Sequence, residues 1–209
     1  MRIPLAREGW PFVFPPAAAA CILAVAGWWA PAIPLAVLAL AFLGFFRDPE
    51  RTAPDVPGAV LAPADGKVMA IVEVEDRWVG PATRVSIFLS PLDVHVNRSP
   101  VAGIVRDVVY ARGGFAAAYH MEASEDNERC TVDLESDLGR VGVRQVAGVV
   151  ARRIVCRVRP GDKLAAGERF GLIRFGSRTD LTVARGTEIR VKEGDRVRGG
   201  ETVMGVVKA

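Results

Sequence analysis

The chain has 209 residues, half of them hydrophobic, with a formal net charge of +3 and a pI near 9.0. That length accommodates one domain with a real core plus an appendage. No stretch clusters Lys and Arg among aromatics, which argues against a nucleic-acid partner, and the mildly basic balance suits anionic lipid.

From Pro11 to Phe46 there is no charged residue, an uninterrupted run of 36 residues. One helical span needs only about 20. Pro31 and Pro34 are expected to break the run into two legs, Pro16–Ala30 and Leu35–Phe46. Each leg would be roughly 18–23 Å long at 1.5 Å per residue, short of a ~30 Å hydrocarbon core, which fits a hairpin dipping into one leaflet or two thin tilted spans. Arg2 and Arg7 flank one side, and Arg47 and Arg51 the other. Positive charge at both ends predicts a hairpin whose ends are cytoplasmic, attached to the cell membrane in a peripheral or monotopic manner. Trp10, Trp28 and Trp29 suit interfacial depth. A cleaved signal peptide fits poorly, because the run is too long and no small-residue cleavage site closes it. Residues 1–52 are therefore read as a membrane-associating helical segment, and residues 53–209 as a separate β-rich domain.

After Pro54, Pro57 and Gly58 the pattern changes to short valine-rich runs. Strands are predicted at 60–62, 67–74, 83–89, 101–110, 130–134, 140–150 and 154–158, punctuated by Gly, Pro and Asp. No long helical period follows residue 60, so the domain is mainly β, a sandwich or barrel-like body.

Along it lie few residues capable of chemistry. Asp65, in Ala62-Pro63-Ala64-Asp65-Gly66, reads either as a turn cap or as a catalytic carboxylate. His95 stands in a polar loop, Ser90 to Pro100, and is one of two histidines in the chain, which makes it a candidate for proton transfer. His120 follows a Gly- and Ala-rich stretch and is placed near a pocket without a specified role. Cys21, Cys130 and Cys156 lack metal-ligand spacing, so no metal site is expected and the thiols read as reduced, cytoplasmic-side residues.

Gly161-Asp162-Lys163-Leu164, continuing to Gly167-Glu168 and Gly171, recurs as Gly194-Asp195-Arg196-Val197, continuing to Gly200-Glu201 and Gly205. From Gly161 to Gly194 the spacing is 33 residues. Paired hairpins of this kind build the small sandwiches of lipoyl- and biotin-carrying domains, although no lysine sits at a hairpin tip as a carrier requires. Between the copies lies Gly176-Ser177. Most such pairs are turns. A serine after glycine can also attack the preceding carbonyl, because glycine lets the backbone bend into the strained geometry needed. Asp65, His95 and Ser177 fit a serine hydrolase equally well, except that no Gly-x-Ser-x-Gly surrounds the serine.

Taken in order, Phe45-Phe46-Arg47-Asp48-Pro49-Glu50-Arg51, Ala62-Pro63-Ala64-Asp65-Gly66, Ser90-Pro91-Leu92-Asp93-Val94-His95-Val96-Asn97, Asn127-Glu128-Arg129 and Phe175-Gly176-Ser177-Arg178 resemble the short, pyruvoyl-dependent branch of the phosphatidylserine decarboxylases. The resemblance covers most of the chain. It implies a zymogen that cuts itself at Gly176-Ser177, leaving a β chain of residues 1–176 and an α chain of residues 177–209. The cofactor would be a pyruvoyl group made from Ser177, which forms a Schiff base with the substrate amine and acts as electron sink. His95 and Asp65 then look like the pair that activates Ser177, with His95 as base and Asp65 orienting it. His95 or His120 would protonate the carbanion. The implied partners are the phospholipid substrate, its membrane and the two associated chains.

The long branch carries a second histidine three residues after the first, where this chain has Arg98, and commonly Leu-Gly-Ser-Thr at the cut, where this chain has Phe175 and Arg178. Arg98, Arg112 and Arg178 are the candidates for the lipid phosphate. Rival readings are a membrane-tethered serine hydrolase and a non-catalytic lipoyl-like module. The sequence does not distinguish a diacyl lipid from an archaeal ether lipid, nor a monomer from a homo-oligomer.

Overall fold

Gly27 turns the apolar run back on itself. In a computed structural model that describes residues 4–114, 127–148, 153–174 and 177–207, the run forms helices α1 (Trp10–Val25) and α2 (Trp29–Phe45). The break lies at residues 26–28, where Gly27 adopts φ +82°, and not at Pro31 and Pro34 as the sequence predicts. Pro31 falls in the first turn of α2, where its missing N–H has no acceptor within the helix, and α2 continues through Pro34. Moving the turn lengthens both legs. With 16 and 17 residues, they measure about 24 and 26 Å. Together with the 3-10 turn before it, α1 is long and apolar enough to cross a membrane, by length and composition.

The two ends of the hairpin are tied together. The Ala6 N–H donates to the Phe46 carbonyl at 2.8 Å, and the Asp48 N–H to the Pro4 carbonyl at 2.9 Å. Ala20, Ala32 and Ala39 are buried, as small residues let helices approach closely. Phe14, Ile22 and Leu40 are about two-thirds exposed (68%, 69% and 66%), a surface suited to lipid and not to water.

The chain divides into units Met1–Glu50 and Arg51–Ala209, and the second is built of strands. In chain order they are β1 (Ala59–Leu61), β2 (Gly66–Asp76), β3 (Gly80–Leu89), β4 (Val96–Arg98) and β5 (Gly103–Ala111). Then follow β6 (Arg129–Ser136), β7 (Gly139–Ala147), β8 (Arg153–Cys156), β9 (Lys163–Leu164) and β10 (Arg169–Arg174). The last are β11 (Ser177–Ala184), β12 (Glu188–Ile189), β13 (Arg196–Val197) and β14 (Val203–Val206).

Eight strands make a curled half-barrel in the order β13-β2-β3-β11-β7-β6-β5-β9. Two three-stranded sheets, β1-β14-β12 and β4-β10-β8, complete the body. Val60, Val85, Ile87, Val143, Leu181 and Met204 are among the fully buried side chains of the main core. They come from both the half-barrel and the β1-β14-β12 sheet, so the core lies between them. Period-two alternation on β11 turns Leu181 and Val183 to this core.

Most predicted strands are present, with ends shifted by a few residues; residues 149 and 150 lie outside those described. The sequence missed the short β12 and β14, and it missed β4, which reads as loop, β10, which ends at Arg174, and β11, which begins at Ser177. These last three are short on alternation because both of their faces are buried.

The two Gly-Asp repeats occupy equivalent places. Their strands β9 and β13 are the two edges of the half-barrel, paired with β5 and β2. Gly161 and Gly194 have φ +96° and +94°, and Gly167 and Gly200 have φ +77° and +79°, a region open to glycine at little cost. The second pair of turns meets: a Cβ on Gly167 would lie 3.5 Å from the Gly200 carbonyl oxygen.

Candidate active site

Ser177 is the first residue of β11, a central strand of the half-barrel. It pairs with Leu89 of β3 on one side and Ala147 of β7 on the other. On the core-facing side, Thr179 stands beside Gln145, and Gln145 beside Cys130. Opposite runs a second row, Asn97, Gly171 and Cys156, across β4, β10 and β8.

The two rows interlock. Asn97 donates to Thr179 Oγ1 at 3.0 Å, and Gln145 Nε2 donates to Asn97 Oδ1 at 2.9 Å. A Cβ on Gly171 would meet Gln145 Nε2 at 2.8 Å, so only glycine admits the amide there. The Cys130 thiol, hydrogen-bonded by Cys156 and buried, is pushed strongly up. The same hydrogen bond lowers Cys156 to about 7.

One step toward the strand start, the register continues. Ile173 pairs with Ile154, and its N–H donates to the His95 carbonyl at 3.2 Å. Ala147, Ile154 and Ile173 share one apolar cluster. Since Thr179 faces Asn97 and Ala147 faces Ile173, Ser177 and His95 occupy the same tier. Each lies two residues before a member of the Thr179–Asn97 pair: alternation along β11 returns Ser177 to the face of Thr179, and His95 stands just ahead of β4.

Both are fully buried. Ser177 Oγ has no hydrogen-bond partner among the described residues. Such a group ordinarily costs about 1–3 kcal/mol. His95 Nδ1 lies 2.9 Å from the Asp93 carbonyl. A carbonyl only accepts, so Nδ1 carries the proton and Nε2 is left as the basic nitrogen.

Asp65 is engaged elsewhere. Arg51 forms an ion pair with it, donating to Oδ2 at 2.7 Å. The Gly199 N–H donates to Oδ1 at 2.8 Å. The imidazole is not among its hydrogen-bond partners; the orienting contact expected from Asp65 is made by the Asp93 main chain. Asp65 nonetheless shares a loop with Pro63, whose carbonyl accepts from the Arg98 N–H at 2.9 Å and from Asn97 Nδ2 at 3.4 Å. The Asp65 loop is thus bound to the strand that follows His95.

Comparison with known proteins decides what this site belongs to. The family model for phosphatidylserine decarboxylase matches residues 38–205. A phosphatidylserine decarboxylase proenzyme of Symbiobacterium thermophilum is 53% identical over 209 residues, covering 98% of this chain and 97% of its own. The proenzyme of Nitrosomonas eutropha is 45% identical, covering 96% and 94%, and that of Salinibacter ruber 49%, covering 85% and 81%. The chain belongs to the phosphatidylserine decarboxylase family.

The arginines offered to a phosphatidylserine decarboxylase's lipid phosphate are differently placed. Arg98 is buried, donates to the Gly167 carbonyl at 3.1 Å, and leaves no room for a side chain on Gly200. Arg178 points away from Ser177 on the opposite face of β11 and is paired with Asp180, Nε to Oδ1 at 2.9 Å, with both side chains fully buried. Arg112 is exposed just beyond β5. It lies three strand spacings, or about 14 Å, from β11. His120 and Gly176 lie outside the described residues.

Sequence reasoning missed Arg51, Asn97, Gln145 and Thr179. Arg51 stood in the motif Phe45 to Arg51 but was taken as a membrane-flanking charge. Asn97 closes the motif Ser90 to Asn97 without a role of its own there, and Gln145 and Thr179 carry no signal until the two sheets are apposed.

Proposed function

We propose that this chain is a precursor that cuts itself between Gly176 and Ser177 and then converts phosphatidylserine to phosphatidylethanolamine. The observation that carries the reading is the buried, unpartnered Ser177 hydroxyl on the same tier as His95, in a chain of the phosphatidylserine decarboxylase family.

His95 Nε2 takes the proton of Ser177 Oγ, which attacks the Gly176 carbonyl carbon. The peptide C–N bond breaks as the acyl group moves from nitrogen to oxygen, giving an ester. Loss of the α proton of residue 177 breaks its Cβ–O bond, the Gly176 carboxylate leaves as the end of the β chain, and the dehydroalanine that remains adds water and releases ammonia. A pyruvoyl group at that position supplies a ketone for the substrate amine and accepts the electrons freed with carbon dioxide. The buried surroundings exclude water from the reacting atoms. His95, freed from its first task, returns a proton to the substrate carbon. Asp65, anchored by Arg51 and Gly199, steadies the loop that abuts β4.

The new α chain begins with β11, hydrogen-bonded between β3 and β7 of the β chain, so the fragments stay associated. The hairpin anchors the protein where its substrate resides. Its ends are tied to each other and carry Arg7 and Arg47, and this paired positive charge supports a cytoplasmic side for both ends.

Intact-mass spectrometry of purified protein tests the reading. Two fragments are expected, the smaller lacking a free amino terminus and reacting with phenylhydrazine. Ser177→Ala gives one uncut, inactive chain near 22.4 kDa. An uncut wild-type chain whose serine is labelled by a fluorophosphonate would instead favour a hydrolase.

A further inference from the structure

Self-cleavage asks more of β11 than a serine at its start. The hydroxyl oxygen has to stand about 3–3.5 Å from the carbonyl carbon it attacks, and a misplacement of 1 Å costs on the order of a hundredfold. Pairing with β3 and β7 fixes β11 within the plane of its sheet. It does not fix how far the strand stands from the β4-β10-β8 sheet, which carries His95. That separation is set by side chains.

We infer that Asn97 and Thr179 form a positioning pin that holds Ser177 at attack distance for the self-cleavage proposed above. Thr179 and Ser177 share a face of β11 two residues apart, and His95 lies two residues before Asn97, just ahead of β4. The 3.0 Å hydrogen bond between Asn97 Nδ2 and Thr179 Oγ1 is therefore a crossbar one step below the reacting pair. Asn97 is itself braced. Its carbonyl oxygen receives Gln145 Nε2 at 2.9 Å, and its amide also reaches the Pro63 carbonyl at 3.4 Å. Asn97, Thr179 and Gln145 are all fully buried, where a hydrogen bond is stronger and its loss unrelieved by water. One asparagine thus ties the Asp65 loop, the histidine strand and the cleavage strand together. Nothing in this requires Asn97 or Thr179 to touch the reacting atoms.

The test is the first-order rate of cleavage of freshly made full-length precursor, followed by denaturing gel and intact mass alongside circular dichroism. Thr179→Val keeps the shape and removes the acceptor; a 10- to 100-fold slower cleavage of folded precursor is expected. Thr179→Ser keeps the hydroxyl and is expected to recover the rate to within about threefold of wild type, a rescue that simple loss of packing would not give. In the double variant Asn97→Ala/Thr179→Val the slowing should not exceed that of the slower single variant, since one contact cannot be broken twice. Folded Thr179→Val precursor cleaving at the wild-type rate overturns the pin, as does Thr179→Ser as slow as Thr179→Val, or multiplied effects in the double variant. If wild-type protein is never cut, the decarboxylase reading fails and takes the pin with it; if wild type is cut and Thr179→Val is equally fast, only the pin fails.

Discussion

Arg51 clasps Asp65 and, through it, the far end of the chain. While Arg51 pairs with the carboxylate, its Nη1 also donates to the Gly199 carbonyl at 2.7 Å, and the Gly199 N–H returns to Asp65 at 2.8 Å. A Cβ on Gly199 would lie 3.1 Å from the Ala64 backbone, so the closeness depends on glycine. Residues before the proposed cut and a residue after it are closed into one ring.

Arg51→Ala is expected to leave Asp65 buried without its cation and to cost on the order of 3 kcal/mol. A lower thermal midpoint and easier separation of the two fragments in denaturant would register it. Arg51→Lys should recover only part of the loss, because an ammonium cannot reproduce the fork.

His95→Ala should stall maturation. Removing a general base costs about 10²–10⁴-fold, so uncut precursor is expected to accumulate over hours in a gel time course. Cleavage at the normal rate would restrict His95 to the decarboxylation step or remove it from the chemistry.

Asp133, 1% exposed on β6, is raised from 3.8 to about 6, chiefly by burial, with Arg77 opposing and Asp76 and Asp107 adding to it. The folded protein therefore holds a proton that the unfolded chain has already lost between these values. Stability contributed by the neutral form falls as pH rises from about 4 to 6, and the penalty persists above. Asp133→Asn should abolish that slope and gain on the order of 2 kcal/mol at pH 7–8. The lost pair with Arg77, which is half exposed, subtracts little. Urea midpoints measured from pH 4 to 8 give the comparison.

With Cys156 at about 7 and Cys130 pushed well above the ordinary thiol range, the two thiols should differ in reactivity. In a Cys21→Ser background, iodoacetamide is expected to modify Cys156 first, at a rate that rises through about pH 7. Peptide mass spectrometry showing Cys130 modified first would reverse which thiol carries the shared proton.

What could be read from the residues alone follows from local physics. Thirty-six uncharged residues announce an apolar helical hairpin because the run is well beyond the roughly 20 residues of a single span. Valine runs separated by Gly and Asp announce strands, because both signals act over a few neighbours. The order of short motifs identified the family and pointed to Gly176-Ser177 as the proposed cut. Even here the proline rule misplaced the helix break: Pro31 in a first turn loses no hydrogen bond, and α2 runs on through Pro34.

Tertiary structure decided the rest. That Arg51 belongs to Asp65 and that Asn97 meets Thr179 are contacts between residues 14 and 82 positions apart, and even the Asp93 carbonyl that holds His95 Nδ1, only two residues away, is brought there by the folded loop. Buried on both faces, β4 and β11 show no alternation to betray them. Their polar side chains acquire meaning only when two sheets set them opposite one another, because a hydrogen bond reports distance in space and a sequence reports distance along the chain.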